Sequence, residues 1–177
     1  MTTYVAFLRA INLGAKRKFP KEAIVAATTA AGFDDVATHI NTGNVRLSTR
    51  MRSRPAIEAK LEAAYLEHAG FEVPTIAFTA AELSDIVSVA DRLDHPHRHY
   101  VSLMKQEPSA EGLAAIAQAS AAAGPEETLH VEGRAVHLLL GENYHEAKLT
   151  NTIVERHLGV STNRNLTVIR ALAAKWC

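Results

Sequence analysis

Apolar residues in this chain come in short runs broken by polar turns, and the spacing within each run predicts its element. Tyr4-Val5-Ala6-Phe7-Leu8 is continuously apolar and β-prone, so residues 4–9 predict a buried strand that closes on Arg9. Pro20 opens a helix that runs to Ala31 and stops at Gly32. Residues 36–40 predict a second strand, Asn41-Thr42-Gly43-Asn44 a tight turn, and the alternating Val45-Arg46-Leu47-Ser48 a half-buried third strand. Ile57, Leu61 and Ala64 recur at helical spacing within a helix over 54–69 that Gly70 ends, and residues 73–78 predict a fourth strand. The order βαββαβ is the ferredoxin-like pattern.

Thr79 and Glu82 have the spacing of a capping box, so a third helix runs from there to Ala90. Asp94-His95-Pro96-His97 breaks the pattern and predicts a linker. A second cycle follows: a strand over 99–104, an alanine-rich helix over 109–122, strands over 128–131 and 135–140 joined at Glu132-Gly133-Arg134, and helices over 148–158 and 163–175. The expected fold class is therefore α+β: a ferredoxin-like N-terminal half (1–79), a helix and linker (80–97), and a second, similar βαββα half with extra C-terminal helices (98–177).

Composition narrows the setting. The chain has 177 residues, 47% of them apolar, enough for a sizeable and mostly aliphatic core. Cys177 is the single cysteine, which excludes an internal disulfide or a multi-cysteine zinc site and suits a reducing compartment. No apolar run has the length of a signal peptide or membrane span, so a soluble cytoplasmic protein is expected, with no membrane partner. Net charge is zero, yet residues 1–60 hold ten Lys/Arg against four Asp/Glu and the remainder nine against fifteen. A basic first part attracts phosphates or acidic ligands.

Four polar segments gather candidate chemistry. Arg9, Asn12, Lys16 and Lys18 surround a turn at Gly14 leading into a helix, where an anion is favoured. Asn41 and Asn44 flank the hairpin turn. Glu142, Tyr144 and His145 lie between a strand and a helix and could serve as acid, base or ligand contacts. Arg164 and Asn165 stand near a helix start, where an arginine opposes the helix dipole, and Ser161, Thr162 or Asn163 is expected to cap that helix. His95, His97 and His99 share a face if extended, but Pro96 and the lack of nearby cysteines make a solvated loop the better expectation than a metal site. No GxSxG, HExxH, CxxC or phosphate-loop motif occurs, so neither cofactor nor metal is expected.

Arg9-Ala10-Ile11-Asn12-Leu13-Gly14, Asn41-Thr42-Gly43-Asn44-Val45 and Ser161-Thr162-Asn163-Arg164-Asn165 together resemble the signature blocks of the bacterial domain-of-unknown-function family 1697. The chain departs from that pattern at Ala10 and Ala15 (usually glycine), Thr42 (usually serine) and Leu166 (usually tryptophan). The resemblance implies a two-part α+β fold with a ferredoxin-like first part, and no particular reaction. The leading expectation is binding of a phosphorylated small molecule or nucleotide by Arg9, Asn12, Lys16, Lys18, Asn41, Asn44, Arg164 and Asn165 in a cleft between the halves. Nucleic acid is less expected, because aromatics are few and net charge is zero. The rivals are a hydrolase or transferase using Glu142, Tyr144 or His145 with Arg9 as an anion clamp, and a protein-interaction module. The sequence does not fix the oligomeric state.

Overall fold

The computed structural model describes residues 1–41 and 43–177. Its contacts divide them into two compact units, Met1–Leu83 with Trp176–Cys177, and Ser84–Lys175. In the first half, strands β1 (Thr2–Leu8), β2 (Asp34–His39), β3 (Asn44–Thr49) and β4 (Thr75–Thr79) form one antiparallel sheet in the order β2-β3-β1-β4. Helices α1 (Lys21–Ala30) and α2 (Arg54–Ala69) connect them, and α3 (Ala80–Leu93) follows β4. β1, one of two inner strands, is apolar without interruption because both of its faces are covered, every residue from Tyr4 to Leu8 being buried. One face of the sheet packs Ala6, Leu8, Val45 and Leu47 against Ile24, Ile57, Leu61 and Tyr65 of the helices.

Local chemistry sets the boundaries. Ser53 caps α2 by accepting from the Ala56 amide, Pro55 lies in its first turn, and Gly70 ends it in the left-handed region at φ 77°. The capping box forms as spaced: the Thr79 amide donates to Glu82, and the Glu82 amide donates to Thr79 Oγ1. Glu58 and Glu62, one turn apart on α2, accept the amides of Ala77 and Thr75 on the edge strand β4 at 2.9 and 2.8 Å. A helix thus covers an edge that would otherwise offer itself to another chain.

The second half repeats this plan. β5 (His99–Met104), α4 (Ala110–Ala123), β6 (Thr128–Glu132), β7 (Ala135–Leu139), α5 (Asn151–Leu158), β8 (Ser161–Asn165) and α6 (Leu166–Trp176) form a sheet ordered β6-β7-β5-β8 with its helices, plus a single 3-10 turn at Tyr144–Glu146. Two similar α+β halves are therefore present, and the repetition is fuller than the sequence suggests. The residues expected as a loop and helix start, 161–165, are the strand β8, antiparallel to β5 with Arg164 opposite Val101. Ser-Thr-Asn-Arg-Asn has no apolar alternation, so its strand character comes from pairing with a buried neighbour rather than from propensity. By unit, the charge contrast is small: ten Lys/Arg against eight Asp/Glu in the first, nine against eleven in the second. The acids of residues 61–83 offset the basic N-terminal stretch. Among the described residues no helix is long and apolar enough to cross a membrane.

Gly43 joins the hairpin to β1. Its carbonyl accepts from Leu8 N at 2.8 Å, its φ is +77°, and an added Cβ would come 2.8 Å from Leu8 Cβ and 2.9 Å from Ile11 Cδ1. Strain and overlap with a buried side chain act together. Gly43→Ala is expected to lower unfolding stability by about 2 kcal/mol or more, read by denaturant titration.

Candidate functional site

On the first unit, the asparagines expected to bind a ligand act on the backbone. Asn12, itself left-handed at φ 54°, holds two loops together: its Nδ2 donates to the Phe19 and Asn41 carbonyls, and its Oδ1 accepts from Phe19 N. Asn44 is buried, and its amide donates to the His39 carbonyl. Asn41 is exposed, as are Lys16 and Lys18, and Arg9 is half-buried. Thr42, within the same turn, lies outside the described residues. Arg17, not singled out from the sequence, braces this loop: it donates to the Ala10 and Glu72 carbonyls and lies 4.6 Å from the Phe71 ring centre. Three non-glycine residues here, Ala10, Asn12 and Ile40, have positive φ. The strain is sustained by these bonds.

The second unit carries a pocket of about 590 Å³. Strand β5 starts there and strands β7 and β8 end there, beside the end of α3 and the first turn of α6. It gathers residues from two of the polar segments (Glu142 and Tyr144 from one, Asn165 from another) with His95, His97, Arg98, His99 and Arg170. His145 is exposed and is not part of the wall, although its ring centre lies 4.0 Å from that of Tyr144. Only Ala90, Gly141 and Leu166 lack a polar side chain among the lining residues. Most pockets for small molecules are mainly apolar, so this one suits a highly polar ligand.

Each polar group has a visible support. Arg98 donates from Nη2 to the Tyr144 hydroxyl at 3.0 Å, with its guanidinium carbon 4.3 Å from the ring centre. Arg170 meets Asp91 at 2.6 Å. His95 Nε2 lies 2.8 Å from the Leu140 carbonyl. A carbonyl only accepts, so Nε2 carries the proton, and the neutral ring keeps a lone pair on Nδ1. Asn165 Oδ1 accepts the Thr167 amide and so caps α6, the task expected of Ser161, Thr162 or Asn163. Asp94 follows α3 at φ 42° and donates its amide to the Ala90 carbonyl.

Arg164 is a neighbour of this cap but not of the pocket wall. It is 9% exposed, and Nη1 donates to Thr162 Oγ1 and the Asn163 carbonyl. Burial lowers its pKa to about 10, which leaves it charged at neutral pH. The histidine segment expected as a solvated loop keeps His97 exposed, while His95 is half-buried and His99 is buried on β5, and all three line the pocket. The sequence signal was present in the spacing of His95, His97 and His99. What it lacked was His137 on β7, 38 residues away, whose Nδ1 lies 2.8 Å from His99 Nε2. His95 also meets the rings of His97 and His99 nearly edge to face, at 5.8 and 6.2 Å. Among the described residues no set of three His, Cys, Asp or Glu side chains has metal-holding geometry.

The chain belongs to the family described as protein of unknown function (DUF1697), whose model matches residues 1–137. The third resembling block, 161–165, lies beyond that span. The fold is similar to that of the conserved bacterial protein SP0830 from Streptococcus pneumoniae, with TM-score 0.72, 18% identity and coverage of 99% of both chains. At that identity the likeness is one of fold. No curated protein matches the chain.

The histidine pair under the pocket gives stability a pH dependence. Burial, with His95 and Arg170 as lesser causes, lowers His99 to about 4 from 6.5. Burial, then the charges of His99 and His130, lowers His137 to about 4. Between pH 6.5 and 4 the unfolded chain therefore binds more protons than the folded one, so stability falls as pH drops through that window. Thermal melts from pH 7 to 4.5 are expected to show this fall, and the variant His137→Phe is expected to flatten it.

Proposed function

We propose that this protein binds a phosphorylated small molecule in the pocket of its second unit. The observation that carries this reading is Arg98. Tyr144 braces its guanidinium from one side, no carboxylate pairs with it, and its other N–H donors have no protein partner among the described residues. A fixed, unneutralised guanidinium in a concave polar wall matches a phosphoryl group, which accepts from two N–H donors at once. Arg170 contributes less, because Asp91 already offsets its charge. On the first unit, exposed Lys16 and Lys18 offer a weaker attraction of the kind that steers anions without holding them.

Titration calorimetry with inorganic phosphate and small phosphate esters tests the reading. Wild type is expected to bind, and Arg98→Ala to bind at least tenfold more weakly, in line with about 1.5–3 kcal/mol for a charged hydrogen bond. Tyr144→Phe keeps the ring but removes the hydroxyl and is expected to lose less. Absence of binding by wild type, or equal binding by Arg98→Ala, overturns the assignment.

A further inference from the structure

We infer that the ligand of this pocket is a polyol monophosphate, of the sugar phosphate class, rather than a nucleotide. The inference rests on the anion reading above and adds what the rest of the wall demands of the ligand.

The first demand concerns stacking. A nucleobase in a protein site usually rests on an aromatic face or an arginine plane. Among the described residues Tyr144 is the only large aromatic ring in the wall. The Arg98 guanidinium carbon lies over it, 4.3 Å from its centre, and the His145 ring centre is 4.0 Å away, so the ring already has two stacking neighbours that a base would have to join or displace. Arg98 is itself tied to that residue, through both the ring and the hydroxyl. The imidazoles of His95, His97 and His99 pack edge to face with one another, at interplanar angles of 76° and 80°, which presents edges rather than a shelf.

The second demand concerns charge. Asp91, Asp94 and Glu142 line the pocket with Arg98 and Arg170. Arg170 is offset by Asp91, so Arg98 is the one guanidinium left to receive a phosphoryl group, and Asp94 and Glu142 repel any further negative charge. A second or third phosphate would meet like charge in a confined space. A monoester brings one phosphoryl group to Arg98, whereas a nucleoside di- or triphosphate brings further charge towards those carboxylates.

The third demand is hydrogen bonding. Asp94 and Glu142 are acceptors, Asn165 and the histidines offer both roles, and His95 is held with Nδ1 as an acceptor. Hydroxyl groups donate and accept at the same atom. Several hydroxyls on adjacent carbons match such a mixed wall, whereas an apolar substituent leaves its groups without partners. The near absence of apolar side chains points the same way.

Four probes separate the possibilities by calorimetry: inorganic phosphate, a hexose 6-phosphate, adenosine 5′-monophosphate and the free hexose. The hexose phosphate is expected to bind at least tenfold more tightly than each of the others. Asp94→Asn is expected to pull its affinity towards that of phosphate. Asparagine tolerates the left-handed backbone at that position, so the variant retains the local fold, which a ligand-free melt checks. If the hexose phosphate binds no better than phosphate or adenosine monophosphate, the polyol inference is overturned while the anion reading stands. If the free hexose binds as tightly as its phosphate, the anion reading is overturned. If none of the four binds, both are.

Discussion

Each half of this chain is organised around an apolar strand hydrogen-bonded on both sides, with β3 and β7 as the second inner strands. β1 lies between β3 and β4, and β5 between β7 and β8. An inner antiparallel strand has its amides and carbonyls claimed by two neighbours, so its side chains can be apolar without leaving buried polar backbone behind. That condition fixes the rest. The partners of β1 and β5 take their register from it, the helices cover the face it shares with them, and the outer strands become the edges that need protection. In the first half the protection of β4 is chemical, through the carboxylates of Glu58 and Glu62. In the second half the corresponding helix, α5, starts at Asn151, whose Oδ1 accepts from Ser102 on the inner strand and Ser161 on the edge strand. The same topology is closed by different polar groups.

β1 and β5 also differ at their first residues, and the pocket follows from that difference. β1 opens at Thr2, while β5 opens at His99, which lies opposite Leu139 and reaches His137 of the neighbouring strand. A buried imidazole needs a partner, and a second imidazole serves when both are neutral, one donating and one accepting. His137 pays part of the cost, since its Nε2 has no partner among the described residues. Two neutral histidines beneath a polar wall keep positive charge away from the floor at neutral pH, so the fixed charge of the pocket belongs to its arginines and carboxylates.

The fold was legible in the sequence where periodicity and turn chemistry agreed. β1 as a continuous apolar run, the capping box at Thr79–Glu82 and the glycine end of α2 all form as their residues suggest. β8 was not legible, because a strand made of Ser, Thr, Asn and Arg is specified by the neighbour it pairs with and not by its own pattern. The candidate site divides along the same line. Tyr144, Glu142 and Asn165 stood out as polar residues in turns and do reach the pocket. Arg98 and Arg170 did not stand out, since one begins at a strand edge and the other sits mid-helix among ordinary surface charges. Their significance depends on Tyr144 and Asp91, which are 46 and 79 residues away.

Asparagine shows why residue type alone misleads here. Asn12, Asn44 and Asn165 all belong to the segments that resemble the family's blocks, and all three use their side chains to hold backbone. Asn12 and Asn44 satisfy amides and carbonyls that tight turns leave unpaired, and Asn165 satisfies a helix-start amide. Asparagine is suited to all of these tasks because one side chain both donates and accepts. Only Asn165 combines that work with a place on the pocket wall. A polar block shared with a family can therefore reflect the requirements of its turns, and the functional content lies in the fixed charges that those turns bring to one wall.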